Sequence, residues 1–348
     1  MTNKYHAAVF IGRFQPFHLG HEAIVREGLK QADEVIIVVG SSFAARNVRN
    51  PFTFDERKAM IKSVFPENNV KVVPVSDYPY NDNKWVAAVQ SAVMSNMKFT
   101  ADPMRIALIG HKKDETSYYL NIFKHWKSIA VKNVDGINAT DIRNAYLDGW
   151  AWAGQNNPHL AKLAVPVVSW LEVNYEKFAT IRTEYKMVKE YRKQWATVKE
   201  GGTLPFPVQF QTVDAVVTHS GKVLLVKRGD NPGKGLWALP GGFLNPNERM
   251  LDGAIRELKE ETKIKVSERT LYDKVGKHEV FDHPNRSTRG RTITNAYHID
   301  FGYPAEEPPK VKGSDDAVEA KWVLYGDIRQ EDLFEDHWHI IDFFINIG

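Results

Sequence analysis

The sequence predicts an α/β chain of two domains, the first built on a parallel sheet with helices on both faces. Strand-like and helix-like stretches alternate from Ala7 to Asp148, the pattern of such a sheet. A charged, aromatic helical stretch then breaks at Gly201–Gly202 and Pro205–Phe206–Pro207, the composition of a domain boundary. Beyond it the pattern changes to a hairpin, with Val213–Thr218 and Val223–Lys227 flanking His219–Ser220–Gly221. A chain of 348 residues also exceeds one ordinary core.

Composition narrows the function classes. Hydrophobic content of 43% with 26% charge is that of a soluble globular protein. A net charge of +3 is small for this length and points to neither nucleic acid nor membrane, while leaving room for a local basic patch. The absence of cysteine excludes disulfides and thiolate metal sites, so a metal needs oxygen or nitrogen ligands. Met1–Phe10 lacks the apolar core of a signal peptide, and no apolar run approaches a membrane span. A cytoplasmic protein is the expectation.

Taken in order, Ala7–Ile11 reads as a first buried strand. Gly12–His21, GRFQPFHLGH, turns from it into a helix over Leu19–Gln31. Unpaired N–H groups at a helix start carry positive partial charge and attract phosphate. His18 and His21, three apart, can face one anion, and Arg13 adds a planar cation. Glu34–Gly40 reads as a second strand and Thr53–Val64 as a helix. Lys71–Val75 is a strand, Trp85–Met97 a helix, and Arg105–Gly110 and Ser128–Val131 are further strands. Ligands bind at the carboxyl ends of such strands, so Gly12–His21, Gly40–Ser42 and Gly110–Lys112 should share one rim. Within Gly136–Asp148, Asn138 or Thr140 can cap a helix, and Thr140 and Arg143 then share a face. Pro166–Trp195 reads as one or two helices. The expected division is a first domain at 1–180, a helical connector and linker at 181–206, and a second domain at 207–348.

In the second half, Asp252–Glu261 has helical spacing, which puts Glu257, Glu260 and Glu261 on one face. Carboxylates so placed repel unless cations sit between them, and an oxygen-only cluster suits Mg²⁺ or Mn²⁺. Glu248 and Arg256 read as buttresses of the loop and helix. Further strands are expected at Thr270–Phe281, Arg291–Phe301 and Glu319–Tyr325, with a last helix at Glu335–Ile347. The basic, turn-rich Asp282–Arg291 reads equally as a diphosphate-binding segment or a solvated loop. Glu279 and Asp315–Asp316 are candidate sources of a general base.

GRFQPFHLGH resembles the HxGH nucleotidyltransferase superfamily, and its form looks most like the nicotinamide-mononucleotide (NMN) adenylyltransferases. The segment around Arg46 and Arg49, which ends in NPFT before the Glu56–Arg57 pair, is similar to theirs. The resemblance implies a Rossmann-like nucleotidyltransferase fold, with His18 and His21 contacting the transition state. It implies substrate or ATP contacts at Gly12, Arg13, Phe14, Arg49, Trp85, Asn138, Thr140 and Arg143. Arg49 would hold the phosphate of NMN, Trp85 would stack on the nicotinamide ring, and Asn81 and Asn83 could read the carboxamide. Asn138 stands where the family's ISxTxxR turn has serine.

Gly242 to Ile264 resembles the Nudix box, Gx5Ex7REUxEExGU with U aliphatic. It matches at Gly242, Glu248, Arg256, Glu257, Leu258, Glu260, Glu261 and Ile264. It departs at Lys263, where the box has a glycine that shapes the helix end. This resemblance implies an α+β Nudix domain, a mixed sheet between helices, with metal on Glu257, Glu260 and Glu261. Over nearly its whole length the chain resembles the bifunctional NMN adenylyltransferase/Nudix hydrolases. That family transfers the adenylyl group of ATP to NMN and hydrolyses ADP-ribose, using Mg²⁺ or Mn²⁺ in both domains. The partners implied are the small molecules ATP, NMN and ADP-ribose, with no nucleic acid and no membrane; a homo-oligomer stays open. Three alternatives compete: a regulatory, nucleotide-binding Nudix half, a different nucleoside diphosphate substrate, and another phosphate acceptor such as phosphopantetheine. The intact Glu257, Glu260 and Glu261 set counts against the first, and Trp85 with Arg49 against the last.

Overall fold

The structure, a computed structural model, describes residues 5–98, 104–110, 123, 125–131, 137–149, 157–200, 208–303 and 306–346, with the backbone alone at 194–200. It divides into two compact units, Met1–Arg182 and Thr183–Gly348. Among the described residues no helix is long and apolar enough to cross a membrane. Lys112, Gly136, Gly201–Gly202, Pro205–Pro207 and Ile347, all named above, lie outside the described residues.

The first unit alternates as the sequence predicts. Its elements are β1 (Tyr5–Gly12), α1 (Leu19–Gln31), β2 (Ala32–Val39), α2 (Phe54–Val64), β3 (Val70–Pro74) and α3 (Asp82–Asn96). Then come β4 (Ile106–Gly110), β5 (Lys127–Ala130), α4 (Ala139–Asp148) and α5 (Val165–Val173), and the last residues of the unit begin α6 (Ala179–Glu200), whose part from Thr183 on belongs to the second unit. The strands form a sheet of order β3-β2-β1-β4-β5, and every pairing is parallel. Its central strands are buried on both faces, which is why they read as unbroken apolar runs. Strand order reverses between β1 and β4, so the turn after β1 sits at the switch point where such sheets bind ligands. Gly28 lets α1 approach the sheet closely, since a Cβ there would lie 3.0 Å from Val35 Cγ2. Capping boxes start α1 and α2, at His18–His21 and Thr53–Glu56.

The second unit carries β6 (Phe210–His219), β7 (Lys222–Arg228), β8 (Trp237–Ala238), β9 (Gly241–Phe243), α7 (Met250–Thr262) and α8 (Glu268–Asp273). It ends with β10 (Val275–Phe281), β11 (Thr292–Asp300), β12 (Ala317–Leu324) and α9 (His337–Ile345). The sheet is mixed, in the order β10-β11-β6-β7-β12 with β8 and β9 pairing β7 and β6. β11 runs parallel to β6, while β7, β10 and β12 pair antiparallel. The β6–β7 hairpin turns on Ser220 and Gly221, both at positive φ, as a two-residue turn requires. Ile255 and Leu258 of α7 pack on Ala215, Val217 and Ile299. The neighbouring His298 points to the opposite face, where its ring lies 5.6 Å from Phe344 of α9. The sheet therefore lies between helices.

One expected element is corrected. Thr270–Phe281 is not a single strand: Ser267 accepts a hydrogen bond from Thr270 N–H at 3.1 Å and starts α8, and β10 begins only at Val275. The capping side chain overrides the strand-favouring Thr-Leu-Tyr run. Other boundaries move by a few residues, the commonest disagreement at element ends.

Candidate active sites

The first site grows from the turn after β1. His18 caps α1 in an extended conformation, and its Nδ1 accepts from His21 N–H at 3.3 Å. His21 Nδ1 in turn accepts from His18 N–H at 3.3 Å. The rings stack at 3.5 Å and 19°. With both Nδ1 atoms accepting, each neutral imidazole carries its proton on Nε2. The intervening Gly20 makes this compact, because a Cβ there would lie 3.1 Å from the His18 ring. Phe14, at φ 51, is buried and packs edge-on against His21 at 4.9 Å, so its side chain supports the imidazole from the core side. Arg13 is exposed.

Two segments are tied to this turn by side chains that mimic backbone. Gln15 exchanges hydrogen bonds with Phe52 at 2.9 and 3.0 Å, which fastens the Arg49–Thr53 segment to it. Arg143 is buried on α4 and donates to the Gln15 carbonyl at 3.2 Å and to Thr140 Oγ1 at 3.4 Å. Asn138 caps α4 by accepting from Thr140 N–H at 2.8 Å. The Gly12–His21 turn and the Asn138–Arg143 segment are thus contiguous. Arg49 is half-buried in a turn that Asn47 organises by accepting from its N–H at 2.9 Å. Trp85 is half-buried on α3, 5.9 Å from Phe123 and partly packed on the core, while Asn81 caps that helix.

Sequence reasoning missed two supports of this rim. Arg57 is fully buried and donates to the carbonyls of Arg13, Gly40, Ser41 and Thr53 at 2.7–3.1 Å. Asp77 accepts from the N–H and hydroxyl of Ser41. Nearby, burial pushes the Glu56 carboxyl up, but Arg46, Lys177 and the Thr53 N–H reverse this and hold it at about 2.

The second site is a cavity of about 430 Å³ lined by Glu257, Glu260 and Glu261 on one side and Arg228, Arg289 and His337 among others. Arg256 donates to both oxygens of Glu248 at 2.9 and 2.7 Å, to Glu257 at 2.9 Å and to Glu260 at 2.8 Å. Glu248 also accepts from Asn245 N–H at 2.7 Å, and hydrogen bonds from Arg256 foremost hold it at about 2. Burial pushes Glu261 up to about 8, although Gly241 N–H donates to it at 3.0 Å. Burial likewise raises Glu257, against the pull of Arg256. Gly242 is required beside it, since a Cβ would stand 2.5 Å from Glu257 Oε1.

A buried carboxylate, Glu261, a half-buried one, Glu257, and a more exposed one, Glu260, form an oxygen-only donor set in one cavity, which fits a hard divalent ion that would stabilise their charged forms. Among the described residues no three such groups already stand at metal-ligand spacing; Arg256 bridges Glu257 and Glu260. Lys263 takes the left-handed conformation of the box glycine, φ 46 and ψ 32, and ends α7 there. Asp315 and Asp316 line the cavity, whereas Glu279 lies on β10 away from that lining. His337 Nδ1 accepts from Leu239 N–H at 2.8 Å, so its proton sits on Nε2, and burial keeps it neutral. Of the basic turn, Arg286 is buried against Asp336 at 2.9 and 3.0 Å, Arg291 pairs with Asp282, and Arg289 faces the cavity.

Comparison with known proteins matches the cytidylyltransferase-like family at residues 9–145 and the NUDIX domain family at 209–344. The nicotinamide/nicotinic acid mononucleotide adenylyltransferase of Acinetobacter baylyi is 39% identical over 150 residues, 42% of this chain and 78% of that protein. A nicotinamide-nucleotide adenylyltransferase of Archaeoglobus fulgidus is 33% identical over 157 residues, 42% of this chain and 82% of its own length. The crystal structure of a bifunctional NMN adenylyltransferase/ADP ribose pyrophosphatase from Francisella tularensis, complexed with AMP and a Mn ion, superposes with a TM-score of 0.85. It shares 32% identity, over 99% of this chain and 100% of that one.

Proposed function

This chain belongs to the family of bifunctional NMN adenylyltransferase/ADP-ribose pyrophosphatases, and on that premise we propose that it makes NAD from NMN and ATP and hydrolyses ADP-ribose to AMP and ribose 5-phosphate. For the transfer, a phosphate oxygen of NMN attacks the α-phosphorus of ATP, and pyrophosphate leaves with the electrons of the broken bond. No protein nucleophile is needed; the residues align two anions and stabilise charge on the equatorial oxygens. The observation that carries this reading is the stacked His18–His21 pair at the start of α1, at the switch point of a parallel sheet. Their Nε2–H groups are the proposed donors to the transferring phosphoryl group, with Arg13, Thr140 and Arg143 around the ATP phosphates through the turn that begins at Gly12. The Phe14 backbone and Asn138 would shape that pocket. Arg49 and Trp85 would hold the phosphate and ring of the acceptor, NMN.

In the second unit, Glu257, Glu260 and Glu261 are the proposed holders of the metal. The divalent ion, Mg²⁺ or Mn²⁺, supplies positive charge to a diphosphate and a more acidic water; in the first unit it would travel with the outer phosphates of ATP. Gly242, Glu248 and Arg256 keep the carboxylates in place. Residues 1–180 and 207–348 are the proposed functional domains, with 181–206 between them, in a cytoplasmic enzyme.

Product analysis tests both halves. ATP with NMN should yield NAD and pyrophosphate, and ADP-ribose with Mg²⁺ or Mn²⁺ should yield AMP. His18→Ala and His21→Ala should cut NAD synthesis while the protein stays folded, and Glu260→Gln should abolish hydrolysis alone. Full NAD synthesis in both histidine variants would refute the first assignment. Tight binding of ADP-ribose without release of AMP would favour a regulatory second unit.

A further inference from the structure

Two guanidinium groups face the hydrolase cavity without a carboxylate within 4.0 Å among the described residues. Arg228, at the end of β7, donates from Nε to the Pro232 carbonyl at 3.0 Å and lies 4.1 Å over the Phe334 ring. Arg289 lies 5.1 Å over Phe243 and 5.9 Å over the same Phe334 ring. Burial, and then the charge of Arg289, lower the pKa of Arg228, against the more distant pull of Glu335, Glu261 and Asp316. Like charges that share a half-buried cavity repel unless an anion joins them, and guanidinium forks match phosphate oxygens.

What holds these arginines comes from outside the Nudix motif. Glu184 of α6, buried, accepts from Gly233 N–H at 3.3 Å. Gly233, at φ 79, closes the loop whose Pro232 holds Arg228; a Cβ there would lie 2.3 Å from the Phe334 ring. Arg192, two turns further along α6, donates to the Thr288 carbonyl at 2.9 Å. Thr288 precedes Arg289 and donates from N–H and hydroxyl to Glu335 at 2.8 and 3.1 Å. Between these anchors Tyr191 lines the cavity.

We propose that Glu184–Arg192 of α6 is part of the hydrolase's substrate-binding apparatus: it clamps the two loops that present Arg228 and Arg289 to a diphosphate anion, and Tyr191 walls the same cavity. This rests on the hydrolase reading above. Glu184 and Arg192 are positioning residues, and the arginines of the cavity are the anion's direct partners. The two guanidiniums would hold one end of the anion, and a divalent ion held by Glu257, Glu260 and Glu261 would supply positive charge at the other.

The test uses the full chain, with steady-state hydrolysis of ADP-ribose and calorimetric binding of ADP-ribose to metal-free protein. Arg289→Ala should raise KM about tenfold or more, with kcat nearly unchanged, as loss of a charged hydrogen bond to substrate does. Arg192→Ala should raise KM about threefold to tenfold, and Arg192→Lys, which can still donate to the Thr288 carbonyl, should recover most of it. Glu184→Gln, which keeps an acceptor for Gly233, should stay close to wild type, while Glu184→Leu should weaken binding. Adenylyl transfer should be unchanged in all of them. Unchanged KM and binding in Arg192→Ala and Arg289→Ala would overturn the inference, as would a fall in kcat at constant KM. If wild type binds ADP-ribose without cleaving it, the hydrolase reading fails. Weaker binding in these variants would then still support the clamp, and equal binding would overturn it.

Discussion

Glu56→Gln removes one negative charge from the first unit, and its effect can be worked out from the contacts. Glu56 takes Arg46 on both oxygens at 2.6 and 2.7 Å, Lys177 at 2.6 Å and Thr53 N–H at 2.9 Å. Burial pushes its carboxyl up, yet these partners hold it at about 2 against an ordinary 4.5. The folded value lies below the unfolded one, so the ionised group stabilises the fold above pH 4.5, and that stability is lost as pH falls through about 2. The full linkage amounts to about 3 kcal/mol. Arg46 and Lys177 are 30% and 53% exposed, so water compensates both when the charge is removed. About 2 kcal/mol should remain at neutral pH. In a unit of this size that lowers Tm by about 4–8 °C. Thermal unfolding of wild type and variant should show this gap at pH 7, narrowing toward zero near pH 2. Arg46 also holds the Pro51 carbonyl at 2.6 Å, so the Arg49 turn should loosen and KM for NMN should rise severalfold. Equal stability at pH 7, or a gap that widens in acid, would refute the reasoning.

Three further outcomes are expected. Lys263→Gly should stabilise the second unit by about 0.5–1 kcal/mol and so raise its Tm, because lysine sits at φ 46 where glycine carries no steric cost; a lower Tm would contradict this. Gly242→Ala should displace the Glu257 carboxylate, 2.5 Å from the new Cβ, and cut ADP-ribose hydrolysis about tenfold or more while NAD synthesis continues; unimpaired hydrolysis would count against the site. Arg57→Met should destabilise the first unit by about 3 kcal/mol or more, since buried carbonyls lose their donor, as denaturant unfolding would report.

The sequence made the periodic parts legible. Buried strands of a parallel sheet announce themselves as apolar runs, and the HLGH turn and the REUxEE helix carry their spacing openly. What stayed hidden depends on partners distant in sequence. Arg286, Arg289 and Arg291 look alike in one basic turn, yet Arg286 is buried against Asp336, 50 positions away, while Arg289 faces a cavity. Nothing local marks Arg57 as buried, because the carbonyls that converge on it beyond its own helix cap Thr53 come from two distant segments, Arg13 and Gly40–Ser41. Lys263 breaks a motif glycine without breaking the helix end, since a single left-handed residue costs only about 1–2 kcal/mol. Glu184 and Arg192 sit in a stretch whose composition says connector, and only the loops they meet give them a place.

The parallel pairing of β6 with β11 bears on how the protein is made. β6 gains β7 at once through its hairpin, but its other edge waits for a strand whose Thr294 lies 80 positions beyond Asp214. At ribosomal speeds of about 5–20 residues per second, that edge stays unpaired for about 4–16 s. It displays Val213 and Ala215–Val217, and an open apolar edge is a template for aggregation. His337, which closes on Leu239 from 98 positions away, arrives later still. Synthesis rate and temperature should therefore govern the yield of this half more steeply than its equilibrium stability does, and substitutions in β11 should appear first as insoluble protein.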